Sequence, residues 1–224
     1  MEKSPKMTQK DSPLIVFDCD YTLWPFDCDK EVIAPFHAHV AGGIIDRSWR
    51  PANPFPEVRA VFEYIVQHKM SFAIASRNPS ANSIAQLLSC IMIPVDGGHK
   101  SVWSMLPAGC FHAYSSGGAK GKTAHFKRIS QATGRPVSEM LFFDDMPENI
   151  QEATKQGTTC VLVGQKTGLT MAAFMCGLEG FAVAQQKQKQ KQQKIETNTS
   201  GSQSLANEVQ ATVSEGQSHS STSV

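Results

Sequence analysis

The sequence predicts a single α/β domain, a parallel sheet of about five strands with helices on both faces and no large cap domain. Three observations predict it. Short apolar runs alternate with stretches of helical period. The connections between them are short, as in strand–helix–strand units. Three of the runs end in polar, reactive residues: Asp18-Cys19-Asp20-Tyr21-Thr22, Ser76-Arg77 and Asp144-Asp145.

The elements follow in chain order. Residues 14–17 are a short apolar run, read as the first strand. Residues 25–55 are rich in Pro, His, Trp and Gly and have no clear period, which predicts a loop or small hairpin flap inserted after that strand. Residues 57–68 carry Val58, Val61, Phe62, Ile65 and Val66 as a helical stripe. Residues 72–75 are the second strand, and 79–88 a helix with Pro79 in its first turn. Residues 110–114 are a third strand, and 122–133 a helix stopped by Gly134. Residues 140–143 are a fourth strand, and 147–156 a helix opened by Pro147 and closed by Gly157. Residues 160–163 are the last strand and 170–181 the last helix. There is no internal repeat.

Composition sets the limits. Residues 185–224 hold nine Gln, eight Ser and four Thr, while all 12 Phe, three Trp and six Cys precede them. So polar a segment buries too little apolar surface to offset the entropy of ordering it, and a disordered tail is expected. Residues 1–12 are expected to be a flexible N-terminus without a secretory apolar region. That leaves residues 13–184 as one domain with a sizeable core. Outside the tail 17 basic residues balance 17 acidic ones, which excludes the basic footprint of a nucleic-acid binder. No apolar run approaches the roughly 18 residues of a membrane span. The cysteines form no C-x-x-C pair, and several sit in apolar runs. Free buried thiols in a reduced, cytoplasmic setting are expected, with neither disulfides nor a zinc site. Oligomeric state is not legible.

In an open parallel sheet, ligands bind beyond the carboxyl ends of the strands. The three polar groups should therefore converge on one end of the sheet. Asp18 and Asp20, spaced i, i+2 on extended chain, point to the same face. With Asp144 and Asp145 they make a dense negative site, and like charges so close raise each other's pKa unless a cation neutralises them. An all-oxygen ligand set selects a hard cation, with magnesium as the simplest choice. Magnesium held by few carboxylates keeps coordination sites for phosphate oxygens. A single aspartate at a strand end would be read as a turn cap; four at two strand ends fit that reading poorly.

These residues resemble a known family. VFDCDYTLWPF resembles the D-x-D-x-T signature of the haloacid dehalogenase (HAD) superfamily of phosphohydrolases. FDCDYTLWPF, ASRN, AHFKRI, FFDD with Asn149, and the final stretch GLTMAAFMCGLEGFAVAQ are similar to its small magnesium-dependent phosphatases. The resemblance covers residues 13–184 and implies a Rossmann-like sheet. It implies Asp18 as nucleophile, forming an aspartyl-phosphate, and Asp20 as general acid and then base. It implies Mg2+ held by Asp18, the backbone carbonyl of Asp20 and Asp145, with Asp144 acting through water or a hydrogen bond. Substrate contacts would come from Thr22 of the signature, the Cys19 backbone amide, Ser76, Arg77 and Lys122. Lys122 is chosen over Lys120 by counting back from His125-Phe126. Asn149 would orient a ligand without adding charge. Asp27 departs from the aromatic residue that the family tends to have; near the site it would repel acidic substrates or favour cationic ones, and otherwise it faces solvent.

Other motifs carry less. Gly121-Lys122-Thr123 lacks the Gly that a P-loop needs, since position 116 is Ser. His37 and His39 have strand spacing but no partner ligand nearby, so they read as flap surface. His125 reads as a packed helix histidine. Trp24, Phe26 and Trp49 line the mouth of the pocket or pack the flap. A capless site is open and admits phosphorylated protein side chains and ring-form sugar phosphates. The expected function is a magnesium-dependent phosphomonoesterase for phosphotyrosine-like or sugar and sugar-amine phosphates. Its partner would be a small phosphorylated substrate or a phosphoprotein. The alternatives are a phosphotransferase to an alcohol and a non-catalytic binding protein on the same fold.

Overall fold

A computed structural model describes residues 12–39, 43–115 and 122–215. The chain forms β1 (Leu14–Phe17), β2 (His37–Ala38), β3 (Ile44–Ile45), α1 (Val58–Gln67), β4 (Phe72–Ser76) and α2 (Ala81–Cys90). It continues through β5 (Met92–Val95), β6 (Gly98–Ser101), α3 (Val102–Met105), β7 (Phe111–Ala113) and α4 (Thr123–Thr133). It ends with β8 (Met140–Asp144), α5 (Pro147–Lys155), β9 (Thr159–Leu162) and α6 (Met171–Glu215).

Five strands make the sheet, in the order β7-β4-β1-β8-β9. Every pairing in it is parallel, with Ile15 level with Phe72 on one side and Leu141 on the other. β1, β4 and β8 are buried at every position, as strands covered on both faces must be. Alternation sorts their side chains. Ile15 and Phe17 join Ile74, Leu141 and Phe143 against α1, α2 and the start of α6. Leu14 and Val16 join Ala73, Ala75, Met140 and Phe142 against Phe126 and Ile129 of α4 and Ala153 of α5. On the first face Phe17 meets Phe62 edge-on at 5.4 Å and stacks on Phe143 at 5.5 Å, which stacks in turn on Phe174. Burying each such ring contributes about 1.5–3 kcal/mol.

The flap is real and is anchored by its own apolar residues. β2 and β3 pair antiparallel, and Phe26, Cys28, Val32, Phe36, Ile44 and Phe55 join the same core as β1. Trp24 and Phe26 are buried and stacked at 6.0 Å, whereas Trp49 is 76% exposed. α2 starts at Ala81, so Pro79 precedes the helix instead of sitting in its first turn. The sequence reading missed the β5–β6 hairpin, whose Asp96-Gly97 turn has Gly97 at φ 85°.

The compact unit closes at Phe181, and Ala182 begins a second one. α6 runs on to Glu215, so residues 185–215 are helical where composition predicted disorder. Gln and Lys lose little rotamer freedom in a helix, so a polar run can prolong one without an apolar face. Residues 216–224 and 1–11 lie outside the described residues. Ser12, placed with the flexible terminus, is buried, and its carbonyl accepts from Arg135 Nη2 at 2.6 Å. Among the described residues no helix is long and apolar enough to cross a membrane.

Candidate active site

The three strand ends converge as expected. Asp18 follows β1, Ser76 ends β4, Asp144 ends β8, and Lys122 stands at the N-cap of α4. A cavity of about 480 Å³ opens there, walled by Asp18, Asp20, Arg77, Lys122, Asp145 and Asn149. The flap adds Asp27, Asp29 and Lys30.

Lys122 is the hub. Its side chain is 1% exposed and its ammonium binds Asp18, Asp144 Oδ2 at 2.9 Å and the Ala75 carbonyl at 2.5 Å. Burial pulls the ammonium's pKa down, but Asp18 and Asp144 together outweigh it and hold the pKa above the usual lysine value. Lys120 lies outside the described residues. Burial pushes the Asp18 carboxyl well above the usual range, Lys122 pulls it back and Asp144 pushes it further up. The Cys19 backbone amide faces the Asp18 carboxylate.

Asp18, Asp144 and Asp145 each offer an oxygen within 4.8 Å of the others. Three carboxylates against one ammonium leave two negative charges, which a divalent hard cation would neutralise. The carboxylates are not equivalent. Asp144 is fully buried and accepts from Met146 N, Lys122 Nζ and, through both oxygens, Asn149 Nδ2 at 3.0 Å. Its lone pairs are thereby used, which suits a supporting role. Asp145 accepts from Gln165 Nε2 at 2.8 Å through Oδ2. Burial raises its pKa, against the pull of that hydrogen bond. Asn149 Oδ1 is buried with no partner among the described residues.

Asp20 lies on the same cavity wall but outside this carboxylate group. The strand ends at Phe17, before either aspartate, so extended-strand alternation is not what brings Asp20 to the same cavity as Asp18. Its Oδ1 accepts from Trp24 Nε1 at 2.8 Å and Cys28 N at 3.1 Å, and its Oδ2 from Asn78 Nδ2 at 2.6 Å. Burial raises its pKa, and these bonds pull the other way. Three donors thus hold the side chain in place at the cavity wall.

Three predicted contacts are not on the cavity wall. Thr22 is fully buried with its hydroxyl unpartnered among the described residues. Cys19 is fully buried as well. Ser76 is 1% exposed, and its Oγ accepts from Asn78 N at 3.1 Å, leaving its hydrogen free to donate. Arg77 is exposed on the rim. Asp27 is near the site and does not simply face solvent: it accepts from Lys30 Nζ at 2.6 Å and Asn78 Nδ2 at 3.2 Å. His37 and His39 line a separate flap hollow with Asp46 and Trp49.

His125 is packed, as read, and also braces the site. Its Nε2 lies 2.8 Å from the Ser76 carbonyl, so that nitrogen carries the hydrogen, and its ring stacks on Tyr114 at 4.2 Å. Burial first, then Lys122, lowers its pKa to about 4. An unfolded histidine titrates near 6.5. Between these values the unfolded chain binds more protons, so the stability His125 contributes is full above pH 6.5 and is lost as pH falls towards 4. Denaturant unfolding of His125→Gln should show a flatter fall over that window than the parent; identical curves would contradict it.

Comparison with known proteins gives the family. A profile of the family described as Acid Phosphatase matches residues 12–184. The chain belongs to the acid phosphatase family. It is 34% identical over 172 residues to human magnesium-dependent phosphatase 1, covering 77% of this chain and 88% of that protein. It is 31% identical over 163 residues to a HAD-like hydrolase superfamily protein of Schizosaccharomyces pombe, covering 72% and 91%. Among solved structures, it is similar to the N-terminal part of a Bacteroides fragilis protein containing a phosphatase domain complexed with Mg. That match has a TM-score of 0.48 and 13% identity, and covers 73% of this chain and 39% of that one. A hydrolase from Pseudomonas syringae has a TM-score of 0.40 and 12% identity, covering 73% and 89%.

Three polar supports of this phosphatase escaped the sequence reading: Asn78 and Trp24 on Asp20, and Gln165 on Asp145. Asn78 sits inside the quoted ASRN string, so the signal for it was present without a role attached.

Proposed function

We propose that this phosphatase is a magnesium-dependent phosphomonoesterase working through an aspartyl-phosphate on Asp18. The observation that carries the proposal is the buried ion pair of Lys122 with Asp18 beside Asp145, open to the cavity that Asp20 also walls.

Asp18 would attack phosphorus through a carboxylate oxygen while the bond to the leaving oxygen breaks. The proton on Asp20 passes to that oxygen, releasing the alcohol. Water then attacks the aspartyl-phosphate, Asp20 takes its proton, and phosphate and free Asp18 result. Lys122 keeps Asp18 in place and stays charged. Ser76, whose Oγ accepts from Asn78 N, would turn its hydroxyl hydrogen towards the phosphoryl group. Asp18, Asp145 and the Asp20 carbonyl would hold Mg2+, which supplies neutralisation of the charge on the phosphoryl oxygens.

The cavity suits a small phosphate ester or a phosphorylated side chain, so the proposed substrates are phosphotyrosine-like or sugar and sugar-amine phosphates. Asp27 and Asp29 on the rim favour an uncharged or cationic neighbouring group, and Arg77 is free to meet an anionic one.

Hydrolysis of p-nitrophenyl phosphate should require added Mg2+, stop on chelation with EDTA and return when Mg2+ is restored. Borohydride added during turnover should convert Asp18 to homoserine, read by mass spectrometry. Undiminished turnover in EDTA would overturn the metal dependence. Reduction at another residue would overturn the nucleophile.

A further inference from the structure

Asn78 occupies a position that neither the signature nor the mechanism assigns. It is 9% exposed and stands at the cavity wall two residues beyond β4. Its Oδ1 accepts from Ser80 N at 2.8 Å, and a backbone N–H can only donate. The amide orientation is therefore fixed, and the NH2 group must face the other way. There its two hydrogens divide between Asp20 Oδ2 at 2.6 Å and Asp27 Oδ1 at 3.2 Å. Asp27 is itself held, by Lys30 Nζ at 2.6 Å and the Asp29 amide at 2.9 Å.

The consequence lies in the lone pairs of Asp20. A carboxylate offers about two acceptor sites on each oxygen. Both sites on Oδ1 are used, by Trp24 Nε1 and Cys28 N. On Oδ2 one site is used, by Asn78, and among the described residues nothing takes the other. We infer that Oδ2 of Asp20 is the atom that gives and takes the proton, and that Asn78 is the positioning residue that aims it while tying it to the flap through Asp27. The inference rests on the reading of Asp20 as general acid and base. The proton leaves Oδ2 for the ester oxygen as the phosphorus–oxygen bond breaks, and Oδ2 later accepts a proton from water.

Leaving groups test it. p-Nitrophenolate departs without a proton, whereas an alkoxide needs one. Turnover is measured with the full chain and Mg2+ on a series running from p-nitrophenyl to alkyl phosphates. Asn78→Ser keeps a side-chain acceptor for Ser80 N–H and withdraws the amide from Asp20. In kcat/KM, which runs only through transfer to Asp18 and leaves out the later attack of water that all substrates share, it should lose about tenfold or more on alkyl phosphates and less than about threefold on p-nitrophenyl phosphate. Asp20→Asn should show the same selectivity more strongly. A selective loss in Asp20→Asn beside a uniform loss, or none, in Asn78→Ser overturns the role of Asn78 alone. A uniform response in Asp20→Asn overturns the acid reading beneath it. Asn78→Thr likewise keeps a side-chain acceptor for Ser80 N–H, adds no charge beside Asp20 and Asp27, and gives the same readout if Asn78→Ser does not fold.

Discussion

Asp18→Asn is expected to abolish turnover and leave the fold standing. The amide has the shape of the carboxylate but no nucleophilic charge, so kcat should fall on the order of 10^4-fold or more. Stability should not follow. Asp18 is a buried carboxylate beside Asp144, and both facts disfavour its charge. Lys122 keeps Asp144 Oδ2 at 2.9 Å and the Ala75 carbonyl when Asp18 is neutral. The change in stability should stay within about 1 kcal/mol, a Tm shift of about 2–4 °C for a domain of this size. Steady-state turnover and thermal unfolding, both in Mg2+, are the measurements. Full turnover in the Asp18→Asn variant would remove Asp18 from the chemistry.

Lys122→Met should do the opposite and damage both. The substitution fills the volume but leaves Asp18 and Asp144 buried together without their shared counter-charge. Breaking a buried ion pair from one side costs about 3–5 kcal/mol. Here that amounts to a fall in Tm of about 6–20 °C. The deficit depends on pH with a definite sign. In the parent, Lys122 has a raised pKa and is fully charged at neutral pH, so its contribution is present throughout the acid and neutral range. In the variant, protonating one of the two carboxylates relieves their repulsion. The gap between parent and variant should therefore narrow as pH falls from neutral towards 4. A double variant carrying Asp18→Asn as well should regain part of the stability and none of the turnover. Equal Tm values for Lys122→Met and the parent would mean that the buried ammonium is not what holds these carboxylates together.

Much of this could be read from residue patterns because the deciding signals are local. β1 is legible as Leu14–Phe17 because an apolar run buried on both faces is bounded by Pro13 and Asp18. The convergence of Asp18, Ser76 and Asp144 follows from parallel strands sharing one direction. What escaped depends on contacts far apart in the chain. Asn78 reaches Asp20 across 58 positions and Asp27 across 51, and no period announces such a bond. Thr22 and Ser76 belong to motif strings, yet their burial is set by packing that a motif does not encode. The tail is a separate case. Lack of apolar surface argues against packing, but not against a helix that continues from one already nucleated at Met171.

The strand order also bears on how the protein is made. β1 is synthesised early, yet its two neighbours in the sheet are β4 and β8, and Phe17 pairs with Phe143 only after more than a hundred further residues have been added. Until β8 emerges from the ribosome, Leu14–Phe17 has one open edge, and the Asp18 that follows it lacks Asp144 and Asp145. Pairings of such long range close slowly and leave apolar strands exposed in the interval. Truncated or stalled chains ending before about residue 144 should accordingly be clients of chaperones, since they lack the strand that covers this edge and, with it, the two aspartates that complete the carboxylate group.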